Sequence, residues 1–253
     1  MPRIITIHSF RRGSGKSNLT ANLATVLAVH GQNVGVVDMD LPAPSQQILF
    51  GVDEREIQFT LNQFLWGDCE IEQAAINLTP RLSLGASIKG KVCLVPASQR
   101  PGEISRVMRG NYYLHLLQDG FDRLGETLGL DTLLVDTNAG LTEETLMVFS
   151  LSDTITILLK NDQLDYQGTA VTVDVARQLG VPRITIVVNE TPGAFDFAHV
   201  REEVARTYDC EVIGVLPHSD EMAALASQGL FVLRHPAHSL TQALKDIAFK
   251  LAT

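Results

Sequence analysis

Seven short runs of apolar, largely β-branched residues recur along this 253-residue chain: RIITIHS, NVGVVDMD, VCLVPAS, DTLLVDT, DTITILLK, RITIVVNE and EVIGVLP. Each is continuous rather than alternating, the pattern of a parallel strand buried on both faces. Between them the apolar spacing changes to the helical period. Lys16 to His30 places Leu19, Leu23, Val26 and Leu27 on one face and closes at Gly31. Asp162 to Leu179 closes at Gly180, with Pro182 just beyond. Ser219 reads as the N-cap of a helix carrying Met222 and Leu225. Ser239 with Gln242 reads as a capping box for a last helix whose apolar face is Leu240, Ala243, Leu244, Ile247 and Leu251. Repeated strand–helix–strand units predict an α/β fold: a doubly wound, mostly parallel sheet of about seven or eight strands with helices on both faces. No linker, internal repeat or low-complexity tract interrupts the pattern, so residues 1–253 are expected to form a single domain. Its least regular part, from Gly51 to Leu130, is expected to hold helices and loops around one further strand.

Composition narrows the partners. Apolar residues at 45% and charged residues at 19% describe a soluble globular chain. A formal net charge of −9 opposes a surface coated for nucleic acid. Cys69, Cys93 and Cys210 are far apart and form no C-x-x-C pair, which favours reduced thiols over a disulfide or metal site. No apolar run approaches the ~20 residues needed to span a bilayer. RIITI is followed at once by HSFRRGSGK instead of a signal peptide's long apolar core, so the expected address is the cytoplasm.

Ligands of doubly wound sheets bind beyond the carboxyl ends of the strands. Five such positions carry polar or turn residues: the loop after IITIH, DMD after GVV, DTNAG after LLV, NE after TIVV, and PHSDE after VIGVL. In the first, Gly13-Ser14-Gly15-Lys16-Ser17 follows a strand and opens a helix. Backbone amides of that loop and first helical turn would point at phosphate oxygens, reinforced by the helix dipole. Lys16 would reach the β- and γ-phosphates, and the Ser17 hydroxyl would bind Mg²⁺. Phe10, however, stands where the general G-x-x-x-x-G-K-[ST] pattern has its first glycine.

RRGSGKSN resembles the deviant Walker A loop of the MinD/ParA family of ATPases, K-G-G-x-G-K-[ST], which needs no distant glycine. Gly13, Gly15, Lys16 and Ser17 match it; Arg11 stands at the family's signature lysine and Arg12 at its first glycine. VGVVDMDLPAPSQQILFGV is similar to the family's Walker A′ segment, and TLLVDTNAGL to its Walker B region with Asn138 at the proline position. VCLVPAS resembles its mid-chain ILPAS strand. ITIVVNE and VIGVLPHSDEMAALASQG resemble its adenine-contacting Asn strand and the I-P-x-[DE] stretch that follows.

The resemblance implies a P-loop NTPase fold with ATP and Mg²⁺ as cofactors. Arg12, Gly13, Ser14, Gly15, Lys16, Ser17 and Asn18 would hold the phosphates, with Asn189, Pro217 and His218 beside the base. Ser17, Asp38 and Asp136 would attend the metal. Lys16, Asp40 and Arg11 would carry the chemistry, Asp40 orienting the attacking water and Arg11 crossing a dimer interface to the partner's ATP. On the residues alone other roles stay open. Asn189 also reads as a strand cap, His218 as a surface residue, and Arg11 and Arg12 as solvated charges. A positive φ at Arg12 would cost about 1 kcal/mol. Glu143 and Glu144, after Thr142, read as dipole and capping residues of a helix start.

The implied activity is a weak, partner-stimulated ATPase that cycles between a monomer and an ATP-bound sandwich dimer and positions a cargo such as a chromosome, plasmid or division machinery. The alternative is a nucleotide-binding scaffold with little or no turnover, because Arg11 and Arg12 replace family residues. A small-molecule or metallocentre enzyme of the wider superfamily is a third, which the scattered cysteines disfavour. Implied partners are a second copy and an activator or adaptor protein. The resemblance also allows nonspecific DNA, at Lys89, Lys91, Arg100, Arg106 and Arg109; the same stretch reads equally as a solvated helix. The last helix's apolar stripe reads as core-facing, so no autonomous membrane binding is expected.

Overall fold

The structure, a computed structural model, describes residues 1–110 and 112–252. Eight strands make one sheet: β1 (Arg3–His8), β2 (Asn33–Met39), β3 (Ile76–Asn77), β4 (Lys91–Val95), β5 (Thr132–Thr137), β6 (Thr154–Lys160), β7 (Arg183–Thr191) and β8 (Glu211–Pro217). Their order is β3-β4-β2-β5-β1-β6-β7-β8, parallel throughout except for β3 against β4. The expected doubly wound sheet is therefore present. The Gly51 to Leu130 region holds two strands instead of the one expected, because β3 has two residues, too few to leave a period in the sequence.

The longer helices are α1 (Lys16–Val29), then the single turn α2 (Gln46–Leu49) after β2, followed by α3 (Leu116–Leu128), α4 (Glu143–Leu151), α5 (Gln163–Gln178) and α6 (Phe197–Tyr208). A short α7 (Asp220–Ala224) and α8 (Ser239–Ala252) lie near the end of the chain, and shorter helical segments such as Leu61–Leu65, Pro101–Val107 and Phe231–Arg234 fill the connections. Adjacent strand residues serve opposite faces. Leu134 packs in one core with Leu23 and Leu27 of α1 and Leu244 and Ile247 of α8, while Leu133 and Val135 pack with Phe121 and Leu124 of α3 and Val148 of α4. A third cluster joins β6 and β7 to Val173 of α5 and Val204 of α6. Each fully buried aliphatic or aromatic side chain contributes about 1.5–3 kcal/mol, so double-faced burial is what holds the sheet between its helices.

Most helix starts are as the sequence suggests: the Asp162, Thr142 and Ser219 side chains accept the amides of Asp165, Thr145 and Met222. The expected box at Ser239 and Gln242 is not formed. Ser239 lies inside α8, the His238 imidazole accepts the Leu240 amide instead, and the Gln242 side chain reaches Asp246. The apolar stripe of α8 does face the core, with Leu240, Leu244, Ile247 and Leu251 buried. Among the described residues no helix is long and apolar enough to cross a membrane. Register fixes the functional end: Ile7 of β1 and Asp38 of β2 both pair with Asp136 of β5, so the loops leaving these three strands converge.

Candidate nucleotide site

The loop after β1 is shaped by its neighbours. Phe10 packs so tightly over α5 that a Cβ on Gly168 would lie 2.1 Å from its ring, so Phe10 anchors the loop where another pattern would have glycine. Ser9 is the hub: its hydroxyl donates to the Arg11 carbonyl at 2.7 Å and accepts from Ser14 at 2.8 Å and from Lys16 Nζ at 3.1 Å. Gly15 enters α1 in the left-handed region at φ 96°, and a Cβ there would sit 2.5 Å from Asn189 Nδ2. Glycine is thus required twice over. No side chain caps α1 and no acidic residue stands in its first turn. Its first amides therefore face the loop side ready for an anion.

Carboxylates gather against this loop. Asp136, at 0% exposure, accepts from Gln46 Nε2 at 2.7 Å. Burial pushes its carboxyl up to about 6, against the opposing pull of Gln46, Ser17 and Lys16. Asp38 is raised well above the ordinary value by burial and by the facing Asp136. Burial also raises Asp40 and lowers Lys16; the Lys16 and Arg12 charges hold Asp40 down, and Asp136 and Asp40 hold Lys16 up. Asp136 Oδ1, Asp40 Oδ1 and Gln46 Oε1 are buried without a hydrogen-bond partner. Three unsatisfied oxygens beside an uncapped helix start fit a triphosphate with its magnesium.

Asp38, expected in the metal shell, also holds backbone: Oδ1 accepts the Asp40 amide at 3.2 Å, and Oδ2 accepts those of Ser45 and Gln46 at 2.9 Å each. It caps the turn into α2. β2 ends at Met39, and Asp40, two positions beyond Asp38 and so on the same face, lies close enough to Lys16 and Asp136 to feel their charges.

The residues predicted for phosphate and base come together in two adjoining cavities. One, of about 340 Å³, is lined by Arg12, Gly13, Gly15, Lys16, Ser17 and Asp40, among others. The second, of about 350 Å³, holds Asn189, Pro217 and His218 beside apolar Leu19, Leu216 and Met222. Gly15, Asn18 and Ser227 line both. Asn189 Nδ2 donates to the Ser14 carbonyl at 2.7 Å, tying the base side to the loop. His218 lies exposed at the rim, 3.3 Å from Asp220.

The two arginines separate. Arg12 lines the phosphate cavity, and it is not among the non-glycine residues at positive φ, which are Glu190, Asp209, Ala226 and Ser227; it carries no left-handed strain. Arg11, expected to cross to a partner, places Nη1 at 3.1 Å from Asp162 and 3.3 Å from the buried Asp165 of its own chain. The start of α5 supplies two carboxylates within its reach. The basic stretch is likewise engaged: Arg100 pairs with Glu54 and Glu103, and Arg106 pairs with Asp68 and lies 3.8 Å over the Trp66 ring. Local neutralisation of these two arginines weakens the DNA reading. Ser9, Gln46 and Ser227 are site residues that sequence reasoning missed; a lone serine or glutamine beside a motif leaves no periodic or charge signal.

Comparison with known proteins addresses the family and the fold. The ParA family model, described as NUBPL iron-transfer P-loop NTPase, matches residues 1–252. An uncharacterized ATP-binding protein of Methanocaldococcus jannaschii is 24% identical, over 98% of this chain and 86% of its own. The septum site-determining protein MinD of Neisseria meningitidis is 21% identical, over 99% of this chain and 91% of its own. Among solved structures, MinD of Pyrococcus horikoshii complexed with Mg-ADP superposes with a TM-score of 0.81 at 22% identity, covering 99% of this chain and 96% of that one.

Proposed function

Since this chain belongs to the ParA family of P-loop NTPases, to which MinD is related, we propose that it is a Mg²⁺-dependent ATPase that switches between a monomer and an ATP-bound dimer. The observation that supports this most is the pair of cavities joined at Gly15, Asn18 and Ser227, one lined by the charged Arg12, Lys16 and Asp40, the other by Asn189 and His218 beside Leu19, Leu216 and Met222. Their dimensions and chemistry suit a triphosphate and an adenine. Gly13, Ser14, Gly15, Ser17 and Asn18 present amides to the phosphates, Arg12 adds charge, and Lys16 exchanges the Ser9 hydroxyl for phosphate oxygens. Ser17 and Asp136 would hold Mg²⁺, with Asp38 near its shell, and the cation would neutralise phosphate charge when bound. Asp40 Oδ1, buried without a hydrogen-bond partner, would accept a proton of the attacking water. Asn189, Pro217 and His218 flank the base.

Relatives include a septum site-determining protein, and placement of a cytoplasmic cargo under the control of an activator or adaptor is the role proposed for this chain. Iron transfer has less support here, because burial raises all three thiols and takes Cys69 to about 11, opposing thiolate ligation. The pairing of Arg11 with Asp162 and Asp165 favours a second reading, a nucleotide-bound scaffold of low turnover. Mass in solution with ADP, with ATP, and with ATP plus Asp40→Ala separates the two. An ATP-only dimer, prolonged by the substitution, supports the switch; one mass in all three conditions overturns it.

A further inference from the structure

Gln46, the first residue of α2, is fully buried at the seam between the phosphate loop and β5. Its Nε2 donates to Asp136 Oδ2 at 2.7 Å and to the Ser17 carbonyl at 3.1 Å. Both partners are acceptors, so the amide has only one admissible orientation; flipped, it would set oxygen against oxygen. Oε1 consequently faces away from these partners, and it is buried without a donor. Asp136 Oδ1 and Asp40 Oδ1 share that condition. An unpaired buried acceptor carries an uncompensated desolvation cost, and three at one site mark a place where donors arrive with a ligand. The side chain's backbone is fixed as well, because Asp38 accepts the Gln46 amide at 2.9 Å.

We propose that Gln46 is a positioning residue for Mg²⁺: it clamps Asp136 with its Nε2 and offers its Oε1 to the cation's hydration shell. Magnesium dehydrates reluctantly and keeps several waters, so protein acceptors around those waters set much of its affinity. A neutral amide serves where Asp38, Asp136 and Asp40 already crowd one another, since a further carboxylate would add repulsion before the metal arrives. The inference rests on the reading of this loop as a Mg²⁺-nucleotide site, and it makes α2 a direct reporter of metal occupancy.

The test uses the full chain and a fluorescent ADP, titrated with Mg²⁺ and again with EDTA. The readout is the ratio of the two affinities, together with the melting temperature in each condition. Gln46→Leu is expected to lower the Mg²⁺-dependent ratio by roughly tenfold. Gln46→Glu keeps the size but faces Asp136 with a like charge; its melting temperature should fall without Mg²⁺ and rise on adding Mg²⁺ by more than the wild type's does. That divergence is what a purely structural role would not produce. An unchanged ratio in Gln46→Leu, or equal melting shifts with and without Mg²⁺ in Gln46→Glu, overturns the inference alone. Wild-type protein whose ADP affinity ignores Mg²⁺ overturns the parent reading and this one with it. Should Gln46→Leu fail to fold, Gln46→Glu decides the matter.

Discussion

At the phosphate end of the site Lys16, Gln46 and Asp136 are buried, and oxygens of Gln46 and Asp136 lack donors. At the base end Glu190, His218 and Ser227 are exposed, and Asn189 already has a partner in the Ser14 carbonyl. The first end holds charge in a low-dielectric place at a cost that a ligand relieves; the second is complete before any ligand comes. Affinity and metal dependence should therefore reside at the phosphate end, and substitutions at the base end should cost less.

Lys16→Ala strikes the contrast hardest. Losing a buried cation that would meet phosphate oxygens should cost about 3 kcal/mol, roughly a hundredfold in Mg²⁺-ATP affinity by calorimetry. Asp136→Asn tests the stored cost directly. The folded-state value of Asp136, near 6, lies above its ordinary 3.8, so its protonated form favours folding at low pH and that contribution is lost as pH rises through 6. At pH 7 the ligand-free variant should be more stable than wild type by up to about 3 kcal/mol. The gap should nearly close at pH 4, read by thermal unfolding, while the variant's Mg²⁺-dependent gain in affinity disappears.

Gly15→Ala breaks both ends at once. A side chain at φ 96° costs roughly 1–2 kcal/mol and its methyl displaces Asn189, so unfolding temperature and ATP affinity should fall together. Asn189→Ala sharpens the comparison: loss of about 1 kcal/mol, near fivefold in ATP affinity, with the Mg²⁺ dependence intact. A larger loss than Lys16→Ala causes would reverse the ranking of the two ends. Arg11→Ala should be smallest, about 0.5 kcal/mol in stability, because the guanidinium is 45% exposed in its pairs with Asp162 and Asp165. The shift should shrink in high salt.

Much of this was legible in the chain. Continuous runs such as DTLLVDT predicted double-faced strands, and Leu133 and Leu134 do pack on opposite sides of the sheet. Asp136 announced itself as a carboxylate ending an apolar run, and Gly15-Lys16-Ser17 as a strand-to-helix loop. What stayed hidden depends on partners remote in sequence. Nothing in DMD reveals that the amides of Ser45 and Gln46 return to the Asp38 carboxylate. Nothing near Arg11 reveals its pairs with Asp162 and Asp165, some 150 positions away in the chain. His238 displaced Ser239 as the cap of α8 through a shift of one residue, which no period can register.

Local periodicity and the order of the motifs determined the layers, the strand ends that carry ligands, and the identity of the loop, since these follow from side-chain hydrophobicity and short-range backbone geometry. Which buried oxygens are satisfied, which cation faces the cavity, and how far each carboxyl is raised were decided only when β1, β2 and β5 came into register. Those quantities depend on distance and dielectric between groups far apart in the chain, and no pattern along the sequence encodes them.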